Sequence, residues 1–305
     1  MAKMTINFTS EAVRYPITID VVLPADHMVT TDSKLPEANK PYKTMYVLEG
    51  VMGNYSGPIN YSQLMPLAED YNFAVVTIGG ANLWYSDNVA SGQNYAAMVQ
   101  DVVAFTRRIF NLSRKKEDTF IAGFSMGGYG SLLLGLANPD IFGYIVSLDA
   151  ALNKGGILEA SEGDSVWDLF TATNYKAMFN IADVADYANS SNDYEYVAEQ
   201  LARSGKELPK IFMASGNIDG LFEADKAFKD QLLGWGYDVT WFEFPGKHNY
   251  TSFEIGMEKA VTEWLPLEDN FRGNHFIYFG PQASTQENNF PWKRWKAFYN
   301  VELGR

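Results

Sequence analysis

The stretch that decides the fold is TFIAGFSMGGYGSLLLGLA, residues 119–137. Its first six residues form an apolar run typical of a buried strand, and the residues after Ser125 are typical of a buried helix. Gly123, Ser125 and Gly127 form a G-x-S-x-G pattern between the two. This context predicts a nucleophile elbow, a turn so tight that it needs glycine on both sides of the serine. A glycine-rich turn without chemistry is the alternative, because the pattern alone occurs by chance in about one chain of this length in ten.

Strand-like and helix-like segments alternate on both sides of this turn. The predicted strands are residues 15–23, 43–48, 73–78, 119–124, 144–148, 210–214 and 238–244. The predicted helices are residues 61–71, 94–110, 126–137, 222–235 and 252–264. The first strand is polar at alternate positions, so we expect an antiparallel edge strand there, whereas the later strands are apolar runs. The alternation predicts an α/β fold whose mostly parallel central sheet is flanked by helices.

Two segments depart from the alternation. Residues 155–208 are polar and rich in Asp, Glu, Asn and Ser, which indicates a cap-like insertion, or else a surface elaboration, within a main domain of residues 1–268. Residues 269–305 follow the last predicted helix. Their mixture of aromatic and basic residues could form a binding patch, but we expect a C-terminal extension packed on the domain.

Composition restricts the function classes. The chain has 305 residues, of which 47% are hydrophobic and 20% charged, as in soluble globular proteins. Its net charge of −13 argues against nucleic-acid and anionic-membrane partners. There is no cysteine, which excludes disulfides and thiolate nucleophiles. Neither a metal-binding nor a cofactor-binding motif occurs, so we expect no cofactor and no metal.

Location and assembly are less constrained by the sequence. The amino terminus MAKMTINFTS lacks the apolar core of a signal peptide, so we expect a cytoplasmic protein while leaving secretion open. A homo-oligomer is also left open.

A reactive serine needs a base, and imidazole is the usual one. The chain has three histidines, at positions 27, 248 and 275. His248 follows the last predicted strand and precedes the last predicted helix, which is the position that the chain order serine, acid, histidine requires. His27 precedes the nucleophile strand and His275 lies in the C-terminal extension. We therefore predict that His248 is the base.

The acid that orients this histidine should lie at the end of a strand between Ser125 and His248. Asp219 follows the strand at residues 210–214, and Asp149 follows the strand at residues 144–148. We predict Asp219, which leaves room for one further strand and helix before the histidine, and keep Asp149 as the alternative.

Ester hydrolysis also needs hydrogen-bond donors for the oxyanion. The backbone amide of Met126, directly after the nucleophile, is the first predicted donor. The second is the amide of Val51, because Gly50 and Gly53 let the loop after the strand at residues 43–48 turn inward. The two glycines could instead be plain turn residues.

With these residues in place, the chain resembles the esterase D / tributyrin esterase branch of the α/β-hydrolases. The resemblance covers nearly all of residues 1–268. It is most specific at residues 111–152, at SGNIDGLF, at FPGKHNYTSFEIGMEKAVTEWLP and at Trp84-Tyr85. It implies the α/β-hydrolase fold and a triad of Ser125, Asp219 and His248. The family usually has His-Gly at the oxyanion loop, where this chain has Glu49-Gly50.

The expected function is a serine carboxylesterase that hydrolyses short-chain acyl esters through an acyl-enzyme, on a small-molecule or sugar ester substrate. The resemblance also allows an acetyl or feruloyl esterase of carbohydrates, or an S-formylglutathione hydrolase. A catalytically silent binding module is the non-enzyme alternative. Trp84, Tyr85 and Trp167 are candidates to line the alcohol side of the site, because aromatic rings stack on sugars and aryl acids; packing in the core or cap is the alternative.

Overall fold

The computed structural model describes residues 1–25, 39–163 and 169–268. Four expectations from the sequence lie outside these residues: those for His27, Trp167, His275 and the extension at residues 269–305.

An eight-stranded sheet forms the centre of the fold. The strands of the described residues, in chain order, are β1 Ala2–Thr9, β2 Pro16–Leu23, β3 Thr44–Leu48, β4 Ala74–Ile78, β5 Asp87–Asn88, β6 Gln93–Asn94, β7 Thr119–Phe124, β8 Tyr144–Leu148, β9 Lys210–Gly216 and β10 Val239–Phe244; all except β5 and β6 belong to this sheet. The order in the sheet is β1-β2-β4-β3-β7-β8-β9-β10, while β5 and β6 form a separate hairpin. Within the eight-stranded sheet, the pairs β1–β2 and β2–β4 are antiparallel and the other pairs are parallel. This is the mostly parallel α/β sheet that the alternation predicted.

Helices cover both faces of this sheet. They are α1 Gly57–Asn60, α2 Leu64–Asp70, α3 Tyr95–Ile109, α4 Met126–Ala137, α5 Lys154–Leu158, α6 Ala172–Phe179, α7 Tyr194–Arg203, α8 Phe222–Gly234 and α9 Tyr250–Lys259. Helices α3, α4, α7 and α8 pack in one hydrophobic cluster, and α1, α2 and α9 pack in the other. Helix α9 continues into a π-helical segment, Ala260–Trp264. No helix in the described part of the chain is both long and apolar enough to cross a bilayer.

The expectation of an edge strand at residues 15–23 was wrong. Strand β2 lies between β1 and β4, so β1 is the edge. Sequence reasoning missed β1, although its residues alternate between half-buried and exposed positions. The alternation of Met4, Ile6 and Phe8 with polar residues is the pattern of an antiparallel edge strand with one face on the core. The predicted helix at residues 61–71 corresponds to α2, Leu64–Asp70, and sequence reasoning missed the short helix α1 that precedes it.

The insertion packs on the loop that follows β4. The Ser86 hydroxyl donates a hydrogen bond to the Met178 carbonyl at 2.6 Å. The ring of Trp84, in the same loop, contacts aromatic rings of the insertion, namely those of Phe170, Tyr175 and Phe179. The insertion is therefore joined to a loop at the carboxyl end of the sheet, where ligands bind in α/β folds. Its role as a cap stays a prediction.

Candidate active site

The turn between β7 and α4 holds Ser125 in an unusual backbone conformation. Its φ of 56° and ψ of −122° lie outside the regions that non-glycine residues ordinarily occupy. The two flanking glycines make this turn sterically possible. A Cβ at Gly123 would lie 2.1 Å from the Gly127 carbonyl oxygen, and one at Gly127 would lie 2.1 Å from the Leu48 carbonyl oxygen. The requirement for glycine thus comes from backbone approaching backbone.

His248 lies on the loop between β10 and α9 and contacts two residues that are distant in sequence. Its Nδ1 is 2.6 Å from Oδ2 of Asp219, and its Nε2 is 2.9 Å from Oγ of Ser125. An ionised carboxylate can only accept hydrogen bonds, so Nδ1 carries the proton and Nε2 is free to accept the serine hydroxyl. The side chain of Asn249 caps α9 by accepting from the Ser252 amide, which fixes the end of the loop.

Asp219 is held as an anion at the turn after β9. The Leu221 amide donates to its Oδ1 at 2.9 Å, while His248 occupies Oδ2. Burial opposes ionisation, but the hydrogen bonds from His248 and Leu221 outweigh it and lower the pKa of Asp219. Burial would likewise lower the pKa of His248, but the hydrogen bond to Asp219 and its charge raise it above the ordinary value of 6.5.

Asp149, the alternative acid, has a different partner. Its Oδ1 accepts from the Gly216 amide at 2.7 Å, whereas His248 donates to Asp219 instead. Burial raises the pKa of Asp149 to about 7, and the nearby negative charge of Asp219 adds to this effect. The structure therefore brings Ser125, His248 and Asp219 into one chain of hydrogen bonds and places Asp149 behind it.

The loop that carries Val51 lies beside the serine. A Cβ at Gly50 would be 3.5 Å from Cβ of Ser125. The next amide, that of Met52, donates to Oδ1 of Asn82 at 2.6 Å. In the ranges that the structure describes, no acceptor is bonded to the amide of Val51 or of Met126, the first residue of α4. The role of both amides as oxyanion donors stays a prediction.

Glu49 is buried within this loop. The Tyr250 hydroxyl donates to its Oε1 at 3.1 Å. A Cβ at Gly53 would lie 1.9 Å from Oε1, and one at Gly57 would lie 2.4 Å from Oε2, so both glycines make room for the carboxyl group. Burial raises the pKa of Glu49 to about 7, although the hydrogen bond from Tyr250 opposes the shift. The side chain fills the space under the loop, enclosed by neutral groups.

Trp84 and Tyr85, two of the candidates for contact with the alcohol, are buried. Trp84 is 3% exposed and packs edge-on against Tyr129 and the aromatic rings of the insertion. The Tyr85 hydroxyl donates to the carbonyl oxygens of Glu49, at 2.9 Å, and Ile78, at 3.2 Å. The structure therefore does not bring these rings to the surface of the site; Tyr85 instead supports the loop that carries Val51.

Sequence reasoning missed two residues that hold this loop, Tyr250 and Asn82. The available signal for Tyr250 was its place two residues after His248. Asn82 has a φ of 60°, in a segment where Ala81, Trp84 and Tyr85 also have positive φ. Asn and Asp tolerate that conformation better than most residues, but the sequence carries no sign of which backbone amide Asn82 binds.

The chain is similar to known proteins over most of its length. Residues 10–262 match the Esterase family, described as "Putative esterase". An acetyl esterase of Caldicellulosiruptor saccharolyticus is 31% identical over 269 residues, which cover 87% of this chain and 98% of that protein.

Solved structures share the fold. One is that of the substrate-bound, fluorophosphonate-binding serine hydrolase FphF of Staphylococcus aureus, with a TM-score of 0.73. Another is that of the S-formylglutathione hydrolase FrmB of the same organism, with a TM-score of 0.70. Both are 24% identical to this chain and cover 87% of it and 98% of their own length. The chain therefore belongs to the esterase family and is a carboxylic ester hydrolase built on the α/β-hydrolase fold.

Proposed function

We propose that the chain is a serine carboxylesterase that cleaves short-chain acyl esters with Ser125 as nucleophile, His248 as base and Asp219 as orienting acid. The observation that carries the proposal is the position of the His248 ring, which is within hydrogen-bond distance of both Ser125 and Asp219. A hydroxyl group is a weak nucleophile until a base removes its proton, and this geometry supplies the base.

In the first half of the reaction, the Ser125 oxygen attacks the ester carbonyl while its proton moves to Nε2 of His248. The tetrahedral intermediate places negative charge on the former carbonyl oxygen, where the amides of Val51 and Met126 donate to it. The N-terminus of α4 adds a favourable dipole. The imidazolium, stabilised by the carboxylate of Asp219, then protonates the leaving alcohol.

In the second half, water replaces the alcohol. His248 removes a proton from the water, which attacks the acyl-enzyme and forms a second oxyanion at the same two amides. Collapse of this intermediate releases the acid and returns the proton from His248 to Ser125. No step uses a cofactor or a metal.

Short acyl groups are proposed from the relative that is named an acetyl esterase, which this chain matches over nearly its full length. Sugar acetates, feruloyl esters and S-formylglutathione are the competing substrates. We therefore expect the highest kcat/KM with acetate or butyrate in a series of p-nitrophenyl esters. A preference for methyl ferulate, acetylated xylo-oligosaccharides or S-formylglutathione would replace the short-ester proposal.

The test of the mechanism is Ser125→Ala. We expect kcat for p-nitrophenyl acetate to fall by at least about 10⁴-fold with the fold intact, and labelling by a fluorophosphonate probe to disappear. Ser204→Ala, which changes an exposed serine after α7, is the matched control and should keep both properties. Turnover within tenfold of the unmodified protein in Ser125→Ala would refute the proposal.

A further inference from the structure

Behind Asp219 lies a cluster of buried acids that the proposed mechanism does not use. Asp149, at the end of β8, and Asp225, in α8, are each 1% exposed. Oδ2 of Asp225 accepts from the Ala150 amide at 3.0 Å, and Oδ1 of Asp149 accepts from the Gly216 amide at 2.7 Å. Gly216 in turn accepts from the Asp219 amide at 2.9 Å, so Asp149 and Asp219 are fixed to the same residue of β9.

The surroundings of Oδ2 of Asp149 indicate whether this carboxyl group is protonated. No donor group of the described residues reaches Oδ2 of Asp149, although the atom is buried. The side chains of Asp149 and Asp219 nevertheless interact, and together with burial this interaction raises the pKa of Asp149. Two carboxyl groups can form a hydrogen bond only when one of them holds a proton. Asp219 already accepts from His248 and Leu221, so the proton belongs on Asp149.

We infer that Asp149 is a positioning residue of this site: it holds a proton and donates it in a hydrogen bond to the carboxylate of Asp219, on the far side from His248. The pair then carries one negative charge, which faces the imidazole. This inference rests on the proposed triad and deepens it.

The other groups around Asp149 are consistent with a proton there. The Ser215 hydroxyl, on β9, lies 3.4 Å from Oδ1 of Asp149. Burial raises the pKa of Asp225 well above its usual range, which favours its neutral form. His248 is the cationic partner of the cluster when protonated.

The backbone conformation at Asp149 is compatible with replacement by asparagine. Its φ of 40° is a conformation that asparagine tolerates better than most residues. In Asp149→Asn, Oδ1 can still accept from Gly216, and the amide can still donate to Asp219. We expect kcat/KM of this variant to stay within threefold of the unmodified protein, because the amide reproduces the neutral acid.

The test is a double-variant cycle on p-nitrophenyl acetate hydrolysis with Asp149→Asn, Asp219→Asn and both together. Without Asp219, Asp149 is free to ionise and becomes the remaining negative charge near His248. We therefore expect Asp149→Asn to lower kcat/KM at least tenfold further in the Asp219→Asn background. The acid limb of the pH profile should also lie at higher pH in Asp219→Asn than in the double variant, because the ionised Asp149 raises the pKa of His248.

The outcomes separate this inference from the proposed function. If Asp219→Asn has no effect on kcat/KM, the triad itself is refuted. If Asp219→Asn lowers kcat/KM but Asp149→Asn changes it by the same factor in both backgrounds, Asp149 is only a structural acid and the inference fails. A loss above about 100-fold in Asp149→Asn alone also overturns it, because that variant would then lack a needed carboxylate charge rather than a proton.

Discussion

Two buried carboxyl groups flank the reactive serine, and the protein treats them in opposite ways. Asp219 is bound by an imidazole and a backbone amide, and its pKa is lowered. Glu49 is bound by the Tyr250 hydroxyl and forms no ion pair with any residue that the structure describes, and burial raises its pKa to about 7. The difference follows from what each carboxyl group faces rather than from its depth, since both are buried.

This contrast matches the charges that ester hydrolysis creates. On the side of Asp219 the imidazole becomes positive, so a fixed negative charge stabilises the transition state. On the side of Glu49 the substrate oxygen becomes negative, so a fixed negative charge would oppose the reaction. Below its raised pKa, Glu49 is neutral and can hold the loop that carries Val51 without that cost.

The largest effect is expected at the charged acid. Asp219→Asn should lower kcat/KM by about 10⁴-fold, because the amide no longer stabilises the imidazolium or selects its tautomer. The acid limb should also move to lower pH, because the hydrogen bond that His248 donates to Asp219 raises the pKa of His248. A pH series of p-nitrophenyl acetate hydrolysis measures both effects. Asp140→Asn, which removes a surface ion pair with Lys206, is the control and should change neither.

A smaller effect is expected at the neutral acid. Glu49→Ala removes the partner of Tyr250 and leaves a cavity under the Val51 loop, so kcat should fall about tenfold or more while KM changes little. Glu49→Gln should keep kcat within about threefold, because an amide fills the space and carries no charge. Steady-state measurement of kcat and KM for the two variants tests these expectations. A Glu49→Gln variant as impaired as Glu49→Ala would mean that the negative charge of Glu49 is required. Glu49 and Asp219 would then not differ in the charge that the reaction needs.

The smallest effect concerns stability. Because the pKa of Glu49 is raised in the folded state from 4.5 to about 7, the folded protein holds a proton that the unfolded chain releases between these pH values. The contribution of Glu49 is therefore complete below pH 4.5 and is lost as the pH rises to about 7. Glu49→Gln lacks this loss, so its free energy of unfolding relative to the unmodified protein should increase across that range by about 3 kcal/mol, and its Tm by several degrees. Calorimetry at pH 4.5, 6 and 8 measures it, and a constant difference would show that Glu49 does not titrate in this way.

Much of the architecture could be read from local patterns. Helix α4 and strands β7 and β8 begin and end where the sequence predicted, because they are continuous apolar segments bounded by turn residues. Strand β1 was missed and β2 was misplaced at the edge, since half-polar strands resemble each other and their order depends on pairing between distant segments. Trp84 shows that the sequence does not fix the environment of a side chain either. An aromatic residue can lie on a binding surface or in a core, and Trp84 is buried against Tyr129.

By itself the sequence determined the strained turn at Ser125, because glycines at fixed spacing, an apolar strand and an apolar helix all act within a few residues. It also limited the base to three histidines and the acid to two strand ends. Only the tertiary structure decided that Asp219 rather than Asp149 meets His248, and that Glu49 is enclosed by Tyr250 and two glycines. Protonation depends on which groups lie within a few ångströms in three dimensions, and 94 residues of chain separate Ser125 from Asp219. The charge of each acid is therefore a property of the fold.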